Sequence, residues 1–262
     1  MKPRFRLNFC RCLILALAAT WCALPASGFS WRQKTRVQVT PKKLVYRRKL
    51  ADAPEYKKTF TVIYPKISGV SPKLARKIAQ VLDYERVFGN SLAEEINKSS
   101  WLTSLTYNTN YNNNNLLDVT LKIEGSGAYP DSWSKTLVVN LITGNQVKAH
   151  EVFLADKFTT LLAAVRKAQR VKLKKHIAQL KRDMPAEEIE RSNWGGQDLF
   201  DADLEKEDLD QFSLSDKGVT FIYDYGFPHA IKALQPDGRF FLSWAKLRPF
   251  IKRDGLLARF IR

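Results

Sequence analysis

The residues that could do chemistry are few. Tyr223, Tyr225, Phe227 and His229 fall within seven positions of one another, in a loop closed by Pro228. Rings at that density offer flat faces to sugar rings or to a protein hot spot, and Tyr and His add hydrogen bonds. These four are the candidate binding residues. The same run also reads as core, with Tyr223 and Phe227 packing inward and Pro228 only setting the turn. His150, His176 and His229 are the three histidines, and no two are close in sequence, so neither a zincin helix nor a Cys/His zinc pattern is present. His176 lies in a basic helical stretch and reads as a surface residue. Gly125-Ser126-Gly127 lacks the glycines two positions either side of the serine that a nucleophile elbow requires, because Glu124 and Ala128 stand there, and it reads as a strand end. Asp201-Ala202-Asp203-Leu204-Glu205-Lys206-Glu207 alternates oxygen ligands as a calcium loop does, but Lys206 occupies the sharp-turn glycine position. The sequence therefore gives no catalytic residue, no metal site and no cofactor.

The compartment narrows the partners. Lys2, Arg4, Arg6 and Arg11 precede a mostly apolar run from Leu13 to Leu24, followed by Pro25-Ala26-Ser27-Gly28. That order reads as a secretory signal peptide, with cleavage expected after Gly28, and the alternative of an uncleaved membrane anchor is disfavoured because the apolar part is shorter than the roughly 20 residues of a spanning helix. Cys10, Cys12 and Cys22 all lie in this leader, so thiolate chemistry and disulfides leave with it. Removing it takes away four of the 43 Lys and Arg and no acid, and leaves a net charge of +13. The excess gathers in Arg32 to Lys58 and in Arg166 to Arg182, which are either solvated faces or contacts for a membrane surface or another anionic polymer. Outside the cytoplasm nucleic acid is not an expected partner.

The elements that would hold the loop read as follows. Residues 29–56 form a basic, exposed lead-in with one short strand at Val37 to Thr40. Thr59 to Tyr64 has strand composition, and Pro65 is expected to end it. Ser71-Pro72 starts a helix that carries Leu74, Ile78, Val81 and Leu82 on one face, and Ser91 with Glu94 starts a second. Trp101 to Tyr111 alternates with one face expected buried and the other wet, and Asn112 to Asn115 turns it into an alternating strand from Leu117 to Ile123. Leu137 to Ile142 adds a third strand that stops at Thr143-Gly144-Asn145. A helix follows over 156–182, then an acidic insertion over 183–211 with eleven Asp or Glu against Arg191 and Lys206, able to fold back on the basic helix or to remain a solvated loop. Strands at 212–214, 219–223 and 239–243 and a short helix around 247–251 complete a module over 57–253, with halves 57–153 and 154–253 and a tail over 254–262. The class is α+β, an antiparallel sheet of hairpins and meander packed by a few helices.

The run Phe60-Thr61-Val62-Ile63-Tyr64-Pro65-Lys66-Ile67-Ser68-Gly69, then Thr143-Gly144 with Glu151-Val152-Phe153, then Phe212 to Phe221 and the Tyr225 to Ala233 loop resembles, in its order, the exported domain of RsiV-type lysozyme receptors and the accessory region of PdaC-type peptidoglycan deacetylases. The resemblance spans roughly Lys57 to Arg253. It implies an extracytoplasmic α+β module of the cell envelope with no catalytic residues to carry over. In RsiV relatives the module binds lysozyme and is joined through a membrane helix to a cytoplasmic anti-sigma segment. Here only twelve residues precede the apolar run, so an anti-sigma role is not expected. The Tyr223 to His229 loop also departs from the relatives, which have a tyrosine and a proline followed by small residues.

The expected function is a non-catalytic exported module that binds a cell-wall glycan or a protein such as lysozyme. An envelope hydrolase using His229 as base and a structural protein held to anionic surfaces by charge are the alternatives.

Overall fold

The computed structural model describes residues 36–185, 187, 200 and 203–262, and residues 34–262 form one compact unit. The expected signal peptide with its three cysteines, and most of the acidic insertion, lie outside the described residues. Five strands, β1 (Gln38–Arg47), β2 (Thr59–Ser68), β3 (Leu102–Asn113), β4 (Leu116–Ser126) and β5 (Pro130–Asn140), form one sheet in sequence order. A second sheet is the antiparallel meander of β6 (Phe212–Ser215), β7 (Gly218–Ile222) and β8 (Arg239–Ser243). The fold is α+β.

Between β2 and β3 run three helices, α1 (Pro72–Val81), α2 (Tyr84–Phe88) and α3 (Leu92–Asn97). The excursion returns the chain in the same direction, so β2 and β3 pair in parallel at Thr61–Ser104 and Val62–Leu105. The large sheet is therefore mixed where hairpins alone were expected, because a connection of this length crosses over instead of turning back. Ser71 caps α1 by accepting from Leu74 N–H, Asp83 caps α2 by accepting from Glu85 and Arg86, and Ser91 caps α3 by accepting from Glu94 N–H. Ile78, Val81 and Leu82 then pack on Leu117, Val119 and Leu121, as the stripe on α1 implied.

The basic stretch before residue 57 holds a full strand instead of a short one. β1 is largely exposed, as its lysines require, yet it pairs with β2 along its whole length. β2 does not stop at Pro65. Arg48 N–H donates to Lys58 O at 2.8 Å, so hydrogen-bonded pairs fall on the even residues of both strands and the opposed Pro41 and Pro65 occupy a slot where no N–H is required.

The β3–β4 hairpin turns at Asn114 and Asn115, both with positive φ, 56° and 61°. β3 carries irregularities between Leu102 and Ser104 and between Thr109 and Tyr111. Each inserts one extra residue and reverses which side chains point inward. Tyr111 thus joins Leu116 and Val138 in a different core cluster from that of Leu117, Val119 and Leu121. The expected wet face is in fact covered at this end by the C-terminal half. That half comprises α4 (Ala149–Val152), the long α5 (Phe158–Asp183), the second sheet and α6 (Trp244–Leu247). Phe158, Leu161 and Val165 of α5 share a core with Phe212, Phe221, Phe240 and Trp244. The last residues belong to it too: Leu257 and Ala258 are buried and Phe260 stacks on Trp244 at 4.3 Å.

Two buried polar groups tie these layers. Arg48 donates to Glu95 at 3.3 Å, to the carbonyls of Ser99 at 2.9 Å and Lys57 at 2.6 Å, and to that of Leu102. It joins the end of β1 to α3 and to the start of β3. Asp118, fully buried, accepts from Ser213 Oγ at 2.6 Å, Leu214 N–H at 2.7 Å and Asn110 Nδ2 at 2.9 Å, and so joins the two sheets. The described end of the acidic segment folds back on the basic helix: Asp203 pairs with Arg170 at 2.6 Å, Glu205 with Arg166 at 3.0 Å, and Leu204 N–H reaches the buried Gln169.

Candidate functional site

The four aromatic-loop residues part company. Tyr225 and Phe227 are buried and Tyr223 half-buried, in edge-to-face contact from Tyr223 to Tyr225 (5.0 Å) and from Tyr225 to Phe227 (6.2 Å). Burial pushes the hydroxyls of Tyr223 and Tyr225 up from their ordinary range. Their faces are spent on the C-terminal core. Gly226, with φ 65°, lets the chain turn between two inward-pointing rings.

His229 stands apart and exposed at the start of a 3-10 turn, His229–Leu234. Its ring stacks on Tyr129 (centroids 5.0 Å apart, 17° between planes), and its Nε2 donates to the Pro130 carbonyl at 2.8 Å. Residues 99 positions apart are thereby joined, the C-terminal half resting on the tip of the β4–β5 hairpin. Beneath the contact is an open groove of about 500 Å³. Thr103, Ser126 and Ser132 supply hydroxyls, Glu124 and Asp131 carboxylates, and Lys232 a cation that stands 3.7 Å from Asp131. Lys122, 2.6 Å away, holds the Glu124 carboxyl below the usual carboxylate range. Tyr129, two-thirds exposed, does not line the groove itself but stacks on His229, which does.

A second aromatic pair joins the residue before β3 to the same hairpin. Trp101 stacks on Trp133 at 4.7 Å, and Trp133 is 41% exposed. Trp101 lies directly over Gly125, where an added Cβ would come within 2.2 Å of the indole. Gly125→Val is therefore expected to displace Trp101 and dissolve the pair, seen as a red shift and changed intensity of tryptophan fluorescence. The strand end read at 125–127 is correct in outline, since Ser126 is the last residue of β4, and its glycine serves ring packing.

The remaining candidates are dispersed. His150 is exposed on α4, and His176 is half-buried with Nε2 donating to Leu234 O at 2.8 Å. Asp203 and Glu205 are engaged by arginines. No group of three His, Cys, Asp or Glu that could hold a metal occurs among the described residues, and no helix among them is long and apolar enough to cross a membrane. Of the residues that form the groove, His229 alone is a binding candidate in the sequence, and Gly125 and Ser126 read there only as a strand end. Tyr129 was missed, although an aromatic residue beside Gly127 and Pro130 at a strand-to-strand turn is a recognisable sign of an exposed ring.

No family model matches this chain, and no curated protein matches it. Among solved structures it is similar to a member of the DUF3298 family from Bacteroides fragilis NCTC 9343, with 14% identity and a TM-score of 0.51 over 86% of this chain and 96% of that one. It is also similar to a DUF3298 family protein from Pseudomonas aeruginosa PAO1, with 11% identity and a TM-score of 0.53 over 82% and 94%. Both likenesses are of fold, and they place this architecture beside domains of unknown function.

Proposed function

We propose that this protein is an exported, non-catalytic binding module that recognises a cell-wall glycan at the tip of the β4–β5 hairpin. The observation that carries the reading is the exposed Tyr129 ring stacked on His229, which itself lines a groove with hydroxyls and carboxylates. A pyranose ring presents an apolar C–H face for such a ring and equatorial hydroxyls for such a groove, and both kinds of contact are needed for specificity. Glu124 supports binding over hydrolysis. Its ion pair with Lys122 favours the charged form, which accepts hydrogen bonds from sugar hydroxyls, whereas a glycosidase acid must hold its proton near neutral pH. The basic leader-like N-terminus and the resemblance to envelope domains support export.

The test is co-sedimentation of residues 29–262 with isolated peptidoglycan at low and physiological salt, with the supernatant assayed for released fragments. Binding that survives salt without release is expected. Release of fragments favours an envelope hydrolase, and loss of all binding with salt leaves only charge attraction. Tyr129→Ala is expected to weaken binding about tenfold, the share of an exposed stacking ring. Unchanged affinity would remove the hairpin tip from the site.

A further inference from the structure

A second groove, outside the hairpin-tip site, lies between α1 and β2. Along α1 the residues facing it are Ala75, Ala79 and Leu82, spaced as one helical stripe, and the two alanines leave a channel that larger side chains would fill. On the β2 side the buried Pro65 and Ile67 also line it. The volume is about 320 Å³. That is roughly ten water volumes, the size of one short acyl chain and too small for a two-chain lipid.

The mouth is basic. Lys42, Lys66 and Arg76 line it and are exposed, and their side chains make no ion pair or hydrogen bond among the described residues. Lys42 and Lys66 are near-neighbours across the β1–β2 ladder, because Lys42 is opposite Tyr64 and Lys66 opposite Thr40. Arg76 approaches from α1. The acid at the groove, Asp83, accepts from the N–H groups of Glu85 and Arg86 at 3.0 and 3.3 Å and is committed to the start of α2. Three like charges without partners around an apolar channel raise each other's cost, and one anion among them lowers it. An arginine with two lysines also offers more N–H donors than one carboxylate can accept, so such a head group is fully satisfied there.

We propose that this groove binds a single-chain anionic amphiphile of the fatty-acid carboxylate class, the chain lying on Ala75, Ala79 and Ile67 and the carboxylate among Lys42, Lys66 and Arg76. The test is titration calorimetry of the full chain with dodecanoate below its micelle concentration. One-to-one binding is expected. It should be weakened at least about tenfold by Lys66→Gln with Arg76→Gln, which removes two charge-assisted contacts from exposed positions. Ala79→Leu, also at an exposed position, should abolish it by filling the channel, with thermal melting confirming that each variant is folded. Butanoate, which lacks the chain, and dodecyltrimethylammonium, which reverses the charge, should bind weakly or not at all. Equal binding of the cationic amphiphile, or an affinity unchanged in both variants, overturns the proposal. Binding only to phosphatidylglycerol vesicles also overturns it, by assigning the three cations to a membrane surface.

Discussion

Arg48→Ala is expected to cost about 3–5 kcal/mol of folding free energy, measured as a fall in the denaturant midpoint, because it leaves a buried carboxylate without its partner. Glu95 is 6% exposed and Arg48 5%, so water cannot take over for either. Breaking the pair is harsher than never having it. Arg48→Met combined with Glu95→Leu removes both charges and keeps the volume, and it is expected to recover part of the loss. It should not recover all. The Leu102 carbonyl stays buried without the guanidinium, as does the Leu102 N–H that Glu95 accepts at 3.0 Å, at about 1 kcal/mol or more for each group left unpaired, and the part-buried carbonyls of Lys57 and Ser99 lose their donor too. A double variant as stable as the parent would show that the guanidinium contributes nothing through the backbone.

The second large effect is expected at Asp118. Asp118→Ala removes the acceptor for Leu214 N–H, Ser213 Oγ and Asn110 Nδ2 at the joint of the two sheets, a loss of about 2–4 kcal/mol. The pH dependence carries a sign of its own. Burial raises the Asp118 carboxyl above its ordinary value of 3.8, while Ser213, Leu214, Asn110 and Arg239 pull the other way without cancelling it. The folded protein then binds this proton more tightly than the unfolded chain does. The contribution is fully present below pH 3.8 and is lost as pH rises through the folded-state value. Asp118→Asn cannot titrate, so the stability advantage of the parent over that variant should shrink from pH 4 to pH 7 in parallel melts. An advantage that grows with pH would mean that the hydrogen bonds outweigh burial.

What was legible in the sequence was local. Ser71-Pro72 at the start of α1, the stripe on that helix and the Asn-rich turn before β4 each depend on residues a few positions apart, and each is where periodicity and capping place it. What was not legible depends on partners far along the chain. β1 reads as a charged lead-in because an edge strand needs few apolar residues, and only its pairing with β2 reveals it. Alternation in β3 placed Tyr111 inward but could not show that extra residues at two points would bury Leu102 and carry Tyr111 into the core on the other side of the sheet. The Tyr223 to Phe227 rings look the same in sequence whether they face a ligand or a core, and α5 with Phe200 decides the matter by covering them. The groove at the hairpin tip is assembled from Thr103, the β4–β5 turn and His229, three segments whose meeting no local pattern announces.

The opposed prolines of β1 and β2 have a consequence for the behaviour of many copies together. Since the β2-facing bonds of β1 fall on its even residues, Pro41 turns its ring nitrogen toward the open side of the sheet, midway along the strand. A strand from another molecule arriving there would find a donor missing, and its own Lys42 and Lys43 would meet theirs. The β1 edge is therefore a poor template for a strand of another molecule, since pairing there would lack one bond and bring like charges together.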